Sequence, residues 1–194
     1  GSFAILILTV SLLIMLLTHQ HFSGANNNIT DIYAIYIFTI CGALVMASFS
    51  DLTMLFVGIE ILSISLYILA GTRKYDLFSN EASLKYFIMG SFSTGFLLFG
   101  IALIYGTTGD LHLSSIHDYV SSGHDISPMF HAGIILLLMG MGFKISAVPF
   151  HFWTPDVYEG APTLTTSFMA TVVKTAGFAA FFRLFHTCFA NAPA

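Results

Sequence analysis

Four ionisable residues lie inside or beside long apolar stretches of this sequence, where a charge is costly. Glu60 lies near the middle of the stretch 52–71, and Lys85, Lys144 and Lys174 lie inside or at the edge of later stretches. A charge at the centre of a bilayer costs at least about 2.5–3.5 kcal/mol on the insertion scale. Burial favours a neutral lysine and a nearby carboxylate favours a charged one, so a lysine held between the two can exchange a proton. The four residues therefore predict proton-relay chemistry.

A structural role is the alternative, in which the same charges pair with one another and hold helices together. Glu81 and Lys85 are four residues apart, in the order that favours a helical ion pair. Such a pair at a membrane surface is as well explained by structure as by function. His151 has the side-chain type that titrates near neutral pH, but an interfacial histidine with satisfied hydrogen bonds is the favoured interpretation.

The residues around Lys144 predict a break in a membrane helix. Gly140 and Gly142 precede the lysine and either loosen the helix or allow close packing, and Pro149 follows it and removes a backbone donor. Discontinuous helices of this kind mark ion sites in transporters, although a simple proline kink would leave the same pattern. The following aromatic segment predicts a loop at the interface, with Trp153 at the level of the lipid headgroups.

The composition requires a membrane. Only 8% of the 194 residues are charged, 56% are hydrophobic, and the mean hydropathy is +0.86, whereas a soluble domain carries about 25% charged residues. No basic run suggests a nucleic-acid surface, and no metal-binding or nucleotide-binding pattern appears. Cys41 and Cys188 lie in apolar stretches and are predicted to be small packing residues.

The predicted fold is all-α: a polytopic transmembrane helix bundle of about six spans, with a turn at Ser50 and Asp51. Arg73 and Lys74 place the loop 72–80 in the cytoplasm, and the acidic loop 107–128, which has no Lys or Arg, outside. The short first span and the leading Gly1 suggest a fragment of a longer protein. The six predicted spans are 3–18, 32–50, 52–71, 82–106, 129–148 and 163–187.

A specific loop motif carries a family resemblance. The segment VPFHFWTPDVYEGAP at 148–162, preceded by GMGFKISA, resembles the signature loop of subunit N of respiratory NADH–quinone oxidoreductase (complex I), an antiporter-like membrane subunit. The segment DLTMLFVGIEILSISLYILAG at 51–71 is similar to the same family. The resemblance covers nearly all of residues 31–187, and the first span matches by hydropathy alone.

The resemblance implies an architecture of about fourteen spans built on two inverted five-helix repeats. This chain would hold spans three to eight. Residues 1–31 would be a partial span and loop, 32–187 the first repeat, and 188–194 a truncated tail. The second repeat, which supplies the other half of the path, would be absent.

The resemblance also implies residue roles. Glu60 matches the family's glutamate on the fifth span, Lys144 the lysine of the broken seventh helix, and Lys174 the lysine of the eighth span. Lys85 matches a sixth-span lysine whose role is less settled. A changing Glu60–Lys144 interaction would pass a proton toward Lys174.

The implied setting is the membrane arm of a proton-translocating NADH:quinone oxidoreductase in the bacterial inner membrane. This chain would carry no cofactor and no redox chemistry. NADH, FMN, iron–sulfur clusters and quinone would bind partner subunits. The expected partners are other membrane-arm subunits and the lipid bilayer, not nucleic acid. Two alternatives remain open: a subunit of an Mrp-type cation/proton antiporter, and a purely structural membrane segment.

Overall fold

The protein is a bundle of helices, as predicted. The computed structural model describes residues 1–22, 29–122 and 125–189, and within these ranges it has no β-strand apart from one isolated bridge between Asp51 and His112. The helices are α1 (Ser2–Phe22), α2 (Ile29–Ser48), α3 (Leu52–Ala70), α4 (Leu77–Thr108), α5 (Leu113–Ser121), α6 (Pro128–Ile145), α7 (Thr154–Gly160), α8 (Thr163–Phe168) and α9 (Lys174–Phe189), with one π-helical turn (Met169–Val173) between α8 and α9.

Five helical segments of the described chain are long and apolar enough to cross a membrane, so this is an integral membrane protein. They are α2, α3, α4, α6 and the continuous segment Thr163–Cys188. The first predicted span corresponds to α1, which is apolar over Ser2–Leu17. Five of the six predicted spans are therefore long and apolar enough to cross a membrane and follow the predicted order, whereas the apolar stretch of α1 is shorter than the other five.

The predicted turn between the second and third spans is confirmed. The Asp51 carboxylate accepts a hydrogen bond from the backbone N–H of Met54 at 2.9 Å and caps the start of α3. Helices α2 and α3 pack closely through glycines. A Cβ atom on Gly42 would lie 2.6 Å from the backbone nitrogen of Leu62, so this position allows the two backbones to approach each other.

Helix α4 is longer than a single span requires. Its 32 residues extend about 48 Å at 1.5 Å per residue, compared with about 30 Å of hydrocarbon. It begins where Asp76 caps the N–H of Phe78 at 3.0 Å and ends at Gly109, whose φ of 73° is left-handed. The helix thus occupies part of the segment 72–80 that was predicted to be loop.

The acidic segment 107–128 is not all loop, because it contains helix α5. Leu113, Ile116 and Val120 are buried, and their spacing places them on one face of a short amphipathic helix. Two backbone hydrogen bonds fasten the segment to the α2–α3 turn: Leu52 N–H to the Leu111 carbonyl at 3.0 Å, and Leu113 N–H to the Ser50 carbonyl at 3.1 Å. The polar residues of α5 concealed this apolar stripe in the sequence.

Asp110 organises the start of this segment. Its carboxylate accepts hydrogen bonds from the Ser115 hydroxyl at 2.6 Å and from the N–H groups of His112 at 3.3 Å and Leu111 at 2.7 Å. These bonds, led by that from Ser115, hold the pKa of Asp110 below its ordinary value.

The C-terminal end of the last span lies on the same side of the bundle as α5. Arg183 donates from Nε to the carbonyl of Phe49 at 2.5 Å, which places a positive charge at the carboxyl end of α2. Cys188 is buried, as predicted for a packing residue. Cys41 is exposed on the apolar surface of α2, so its predicted packing role inside the bundle is wrong.

Candidate functional site

The predicted break near Lys144 is present. Helix α6 ends at Ile145, and Ser146 caps it in the left-handed conformation with φ of 58°. Pro149, which follows a cis peptide bond, lies in the short connection before α7. The Thr154 hydroxyl donates to the Ser146 hydroxyl at 2.7 Å, so one side-chain hydrogen bond joins the two sides of the break.

The two glycines before Lys144 serve close packing rather than the break itself. Both lie inside regular α6. A Cβ atom on Gly140 would meet the side chain of Leu97 on α4 at 2.7 Å, and one on Gly142 would meet the ring of Phe150 at 3.2 Å. Their lack of a side chain therefore brings α4 and the connecting segment against the helix that carries Lys144.

Lys144 is buried, with 4% of its surface exposed. Its ammonium donates to the Ser63 hydroxyl at 2.7 Å and approaches the Tyr86 hydroxyl at 3.5 Å. Ser63 itself donates to the Ile59 carbonyl at 2.5 Å, which leaves its oxygen free to accept from the lysine. The lysine is thus held by hydroxyl groups of α3 and α4.

Glu60 lies one helical turn from Ser63 on α3, but it does not form an ion pair with Lys144. It is half-buried and accepts a hydrogen bond from the Thr94 hydroxyl at 2.9 Å. Among the described residues, ion pairs join only Arg73 to Asp76 and Lys85 to two carboxylates. The glutamate and the lysine therefore each hydrogen-bond to a hydroxyl group rather than to each other.

A small cavity lies between these hydroxyl groups. Ser63, Thr94 and Lys144 line it together, with Tyr67 and Ser93 beside them. The volume open to the centre of a water molecule is about 10 Å³, which is the lower limit for holding one water. The cavity places the hydroxyl that binds Glu60 and the hydroxyl that binds Lys144 around one polar space.

Lys174 lies directly against the break. Its ammonium donates to the Ser146 hydroxyl and to the backbone carbonyl of Lys144, the latter at 3.4 Å. The π-helical turn ends at the residue before it, and such turns are frequent at functional sites. The structure therefore brings Lys144 and Lys174, which are thirty residues apart in sequence, to one break in one helix.

Trp153 is buried inside this site, so its predicted position at headgroup level is wrong. Only 1% of its surface is exposed, because its ring stacks on Tyr86 at 4.6 Å and its Nε1–H donates to the Phe143 carbonyl at 3.1 Å. Tyr158 is half-buried beside it. His151 is exposed and takes no part in the contacts around either lysine.

Lys85 lies in a separate ion cluster at the edge of the bundle. It pairs with Glu81 at 2.7 Å, as predicted, and also with Asp156 of α7 at 2.5 Å. The side chains of the three residues are 35–57% exposed, so solvent screens much of the attraction. The cluster connects α4 to the short helix that follows the break.

Several residues of the site were not predicted from the sequence. Ser63 lies three residues after Glu60, and this spacing places both on one helix face. Asp156 belongs to the loop motif at 148–162, but its partner Lys85 on α4 is distant in sequence. Thr94, Tyr86 and Ser146 gave no recognisable signal. In the described part of the chain, no three His, Cys, Asp or Glu side chains are grouped as a metal site would require.

Comparisons with known proteins agree with the loop motif. A family model described as NADH:quinone oxidoreductase/Mrp antiporter, transmembrane, matches residues 49–193. The protein named NADH-quinone oxidoreductase subunit N from Cytophaga hutchinsonii is 50% identical over 192 residues, which are 99% of this chain and 41% of that protein. The chain thus spans about two-fifths of the length of this curated relative.

Solved structures give the same fold. A chain of respiratory complex I from Thermus thermophilus superposes with a TM-score of 0.79 at 38% identity, covering 93% of this chain and 38% of that one. A chain of the Mrp complex from Dietzia sp. superposes with a TM-score of 0.78 at 23% identity, covering 97% of this chain and 35% of that one. The second likeness concerns the fold alone.

Proposed function

The chain belongs to the membrane-spanning family shared by NADH:quinone oxidoreductases and Mrp antiporters, as its motifs predicted, and from this we propose that it carries part of a proton path. The path lies in the membrane arm of an NADH–quinone oxidoreductase and includes Glu60, Lys144 and Lys174. Electron transfer takes place in partner subunits, which bind NADH, FMN, iron–sulfur clusters and quinone. The proposed sidedness keeps the loop 72–80 in the cytoplasm and 107–128 outside.

The environment of Lys144 is the observation that carries this proposal. A buried lysine with a purely structural role is usually paired with a carboxylate, because an unpaired buried charge is very costly. Lys144 is instead bound to the hydroxyls of Ser63 and Tyr86. Ser63 accepts from the ammonium while it donates to Ile59, and the Tyr86 hydroxyl can accept from an ammonium or donate to a neutral amine. This environment therefore suits a group that alternates between its two protonation states.

The path runs from the cavity to the helix break. A proton that reaches Lys144 from the side of Glu60 and Thr94 crosses the hydroxyl-lined cavity. Lys174 takes it up beyond the break, where the Ser146 hydroxyl and the Lys144 carbonyl hold the second ammonium. The Lys174 ammonium lies against the backbone of Lys144, and nearby like charges disfavour simultaneous protonation of both lysines, so arrival of a proton at one promotes release from the other.

The energy needed to move a proton across the membrane is similar in size to the energy of a modest change in lysine proton affinity. Moving one charge through 100 mV costs about 2.3 kcal/mol, and a tenfold change in proton affinity is worth about 1.36 kcal/mol. A rearrangement that alters the electrostatic field of Glu60 at Lys144 is therefore large enough to affect proton transfer. Residues 32–187 constitute, in this proposal, the first of two repeats, and partner subunits and the second repeat complete the route.

An Mrp-type antiporter subunit is the second candidate, because the same fold occurs there. The loop from Asp156 to Pro162 and the 50% identity to a protein named subunit N favour the oxidoreductase. Purification of the full-length subunit from its source membrane distinguishes the two. Quinone-reducing subunits would accompany it in the first case, and antiporter subunits in the second.

Replacing Lys174 by alanine in the assembled complex should reduce NADH-driven proton pumping about 3- to 10-fold, because the acceptor beyond the break is lost. Pumping is measured as acidification of inverted membrane vesicles, with NADH–ferricyanide activity as a measure of assembled complex. The exposed Lys74→Ala variant is the matched control and should pump normally. Normal pumping by an assembled Lys174→Ala complex would remove this lysine from the path.

A further inference from the structure

Aromatic rings connect the two lysines of the site. The ammonium of Lys174 lies 5.2 Å from the centre of the Trp153 ring, and that of Lys144 lies 5.6 Å from the centre of the Tyr86 ring. Trp153 and Tyr86 stack on each other with an angle of 10° between their planes. The four side chains therefore form a continuous series, with a lysine at each end and a stacked aromatic pair between them.

The indole ring is held firmly in this position. Its Nε1–H donates to the Phe143 carbonyl at 3.1 Å, and the ring of Phe143 lies 5.2 Å away in a stacked arrangement. The Tyr158 ring packs against Trp153 edge-on at 6.0 Å and also lies 6.0 Å from the Lys174 ammonium. Trp153 can therefore neither turn away from Lys174 nor be replaced there by water without loss of these contacts.

The face of an indole ring is the best aromatic partner for a cation, and the attraction grows when both groups are withdrawn from water. Among the described residues, no carboxylate pairs with Lys144 or Lys174. The aromatic faces thus occupy places that carboxylates would fill in a structural ion pair. A ring stabilises an ammonium but does not accept its proton.

We propose that Trp153 is a positioning residue of the proton path, whose ring face stabilises the Lys174 ammonium and fixes it against the helix break. This inference rests on the proposed function of Lys174. It explains how a charged lysine is tolerated at this depth without a carboxylate, whose direct ion pair would hold the proton too firmly for transfer. The stack on Tyr86 places both lysines in one rigid frame.

The competing explanation is that Trp153 only fills space in the core. Fluorination of its ring separates the two, since fluorine withdraws electrons from the ring face with little change of shape and keeps the N–H group. Tryptophan and its mono-, di- and trifluoro derivatives are incorporated at position 153 of the full-length subunit by amber suppression. The complex is then assembled in the bacterial membrane.

We expect proton pumping to fall steadily with each added fluorine, by about 3- to 10-fold across the series, at constant NADH–ferricyanide activity. Fluorinated phenylalanine at position 130 is the matched control. Phe130 is buried in α6 against the ring of Tyr119, and no described cation lies over its ring. Its fluorination should change pumping less than about twofold.

A flat fluorine series at position 153, in complexes where Lys174→Ala reduces pumping as predicted, would overturn the inference and leave the proposed path intact. An equal fall at positions 153 and 130 would also overturn it, because the effect would then come from core packing. Normal pumping by Lys174→Ala would instead contradict the proposed function itself. The two failures are therefore distinguishable in one set of membranes.

Discussion

Replacement of Lys144 by alanine should reduce NADH-driven proton pumping at least about 10-fold, since removal of a group that transfers protons typically costs more than that. Lys144 is the basic side chain that lines the cavity, and its own carbonyl contacts the next lysine. No neighbouring described side chain can replace it. Pumping is measured in inverted vesicles that contain the assembled complex, alongside NADH–ferricyanide activity.

The matched control for this variant is Lys74→Ala, which removes an exposed lysine from the connection between α3 and α4. It should pump at the rate of the unsubstituted complex. A Lys144→Met variant adds a second control, because its side chain fills the buried space without a charge or a titrating group. If an assembled Lys144→Ala or Lys144→Met complex pumps normally, the buried lysine is structural and the relay does not exist.

The Glu60→Gln variant should also lose pumping about 10-fold. Glutamine keeps an oxygen that accepts the Thr94 hydrogen bond, so the local structure is retained while the negative charge is removed. Without this charge, the path loses a carboxylate that attracts a proton on the cavity side, and proton uptake there becomes less favourable. Both the pumping rate and the protons moved per NADH are measured.

Two comparisons isolate the charge of Glu60. Thr94→Val removes the hydrogen bond but keeps the carboxylate, and the loss of pumping should be smaller than in Glu60→Gln, because the negative charge remains. Asp118→Asn removes an exposed carboxylate from α5 and should have no effect. A Glu60→Gln complex that pumps as fast as the Asp118→Asn control would show that the glutamate charge is not used.

The sequence predicted the features that depend on local chemistry. Apolar stretches of sufficient length predicted the spans, because a segment inside a bilayer must be apolar and must satisfy its own backbone hydrogen bonds, as a helix does. Pro149 predicted the helix break, because proline removes a donor and restricts the residue before it. The break was predicted near Lys144, and the residue that caps the helix there is Ser146, in the left-handed conformation.

The features that depend on contacts between distant helices could not be predicted. Trp153 was assigned to the interface because tryptophan is common there, yet its stack with Tyr86 of α4 places it in the core. The same limit applies to Asp156, whose partner Lys85 is 71 residues earlier. Glu60 and Lys144 were expected to interact, and in the packed bundle each hydrogen-bonds to a hydroxyl group instead of to the other.

The break in α6 is the feature that makes the site possible. A continuous helix would use the Lys144 carbonyl in its own backbone hydrogen bonding. Here that carbonyl accepts a hydrogen bond from the Lys174 ammonium, and the Ser146 hydroxyl accepts another. Irregular backbone at membrane depth is tolerated where protein satisfies its polar groups, and in this bundle the second lysine does so.

The number of protons moved per NADH in complexes carrying Lys144→Ala, Lys174→Ala and both substitutions together tests the central claim most directly. Residues that act as one unit give strongly non-additive effects. If the two lysines belong to one path, both single variants and the double variant should lose the same number of protons per NADH. A double variant that loses more than either single variant, or a single variant that retains the full stoichiometry, would contradict the path.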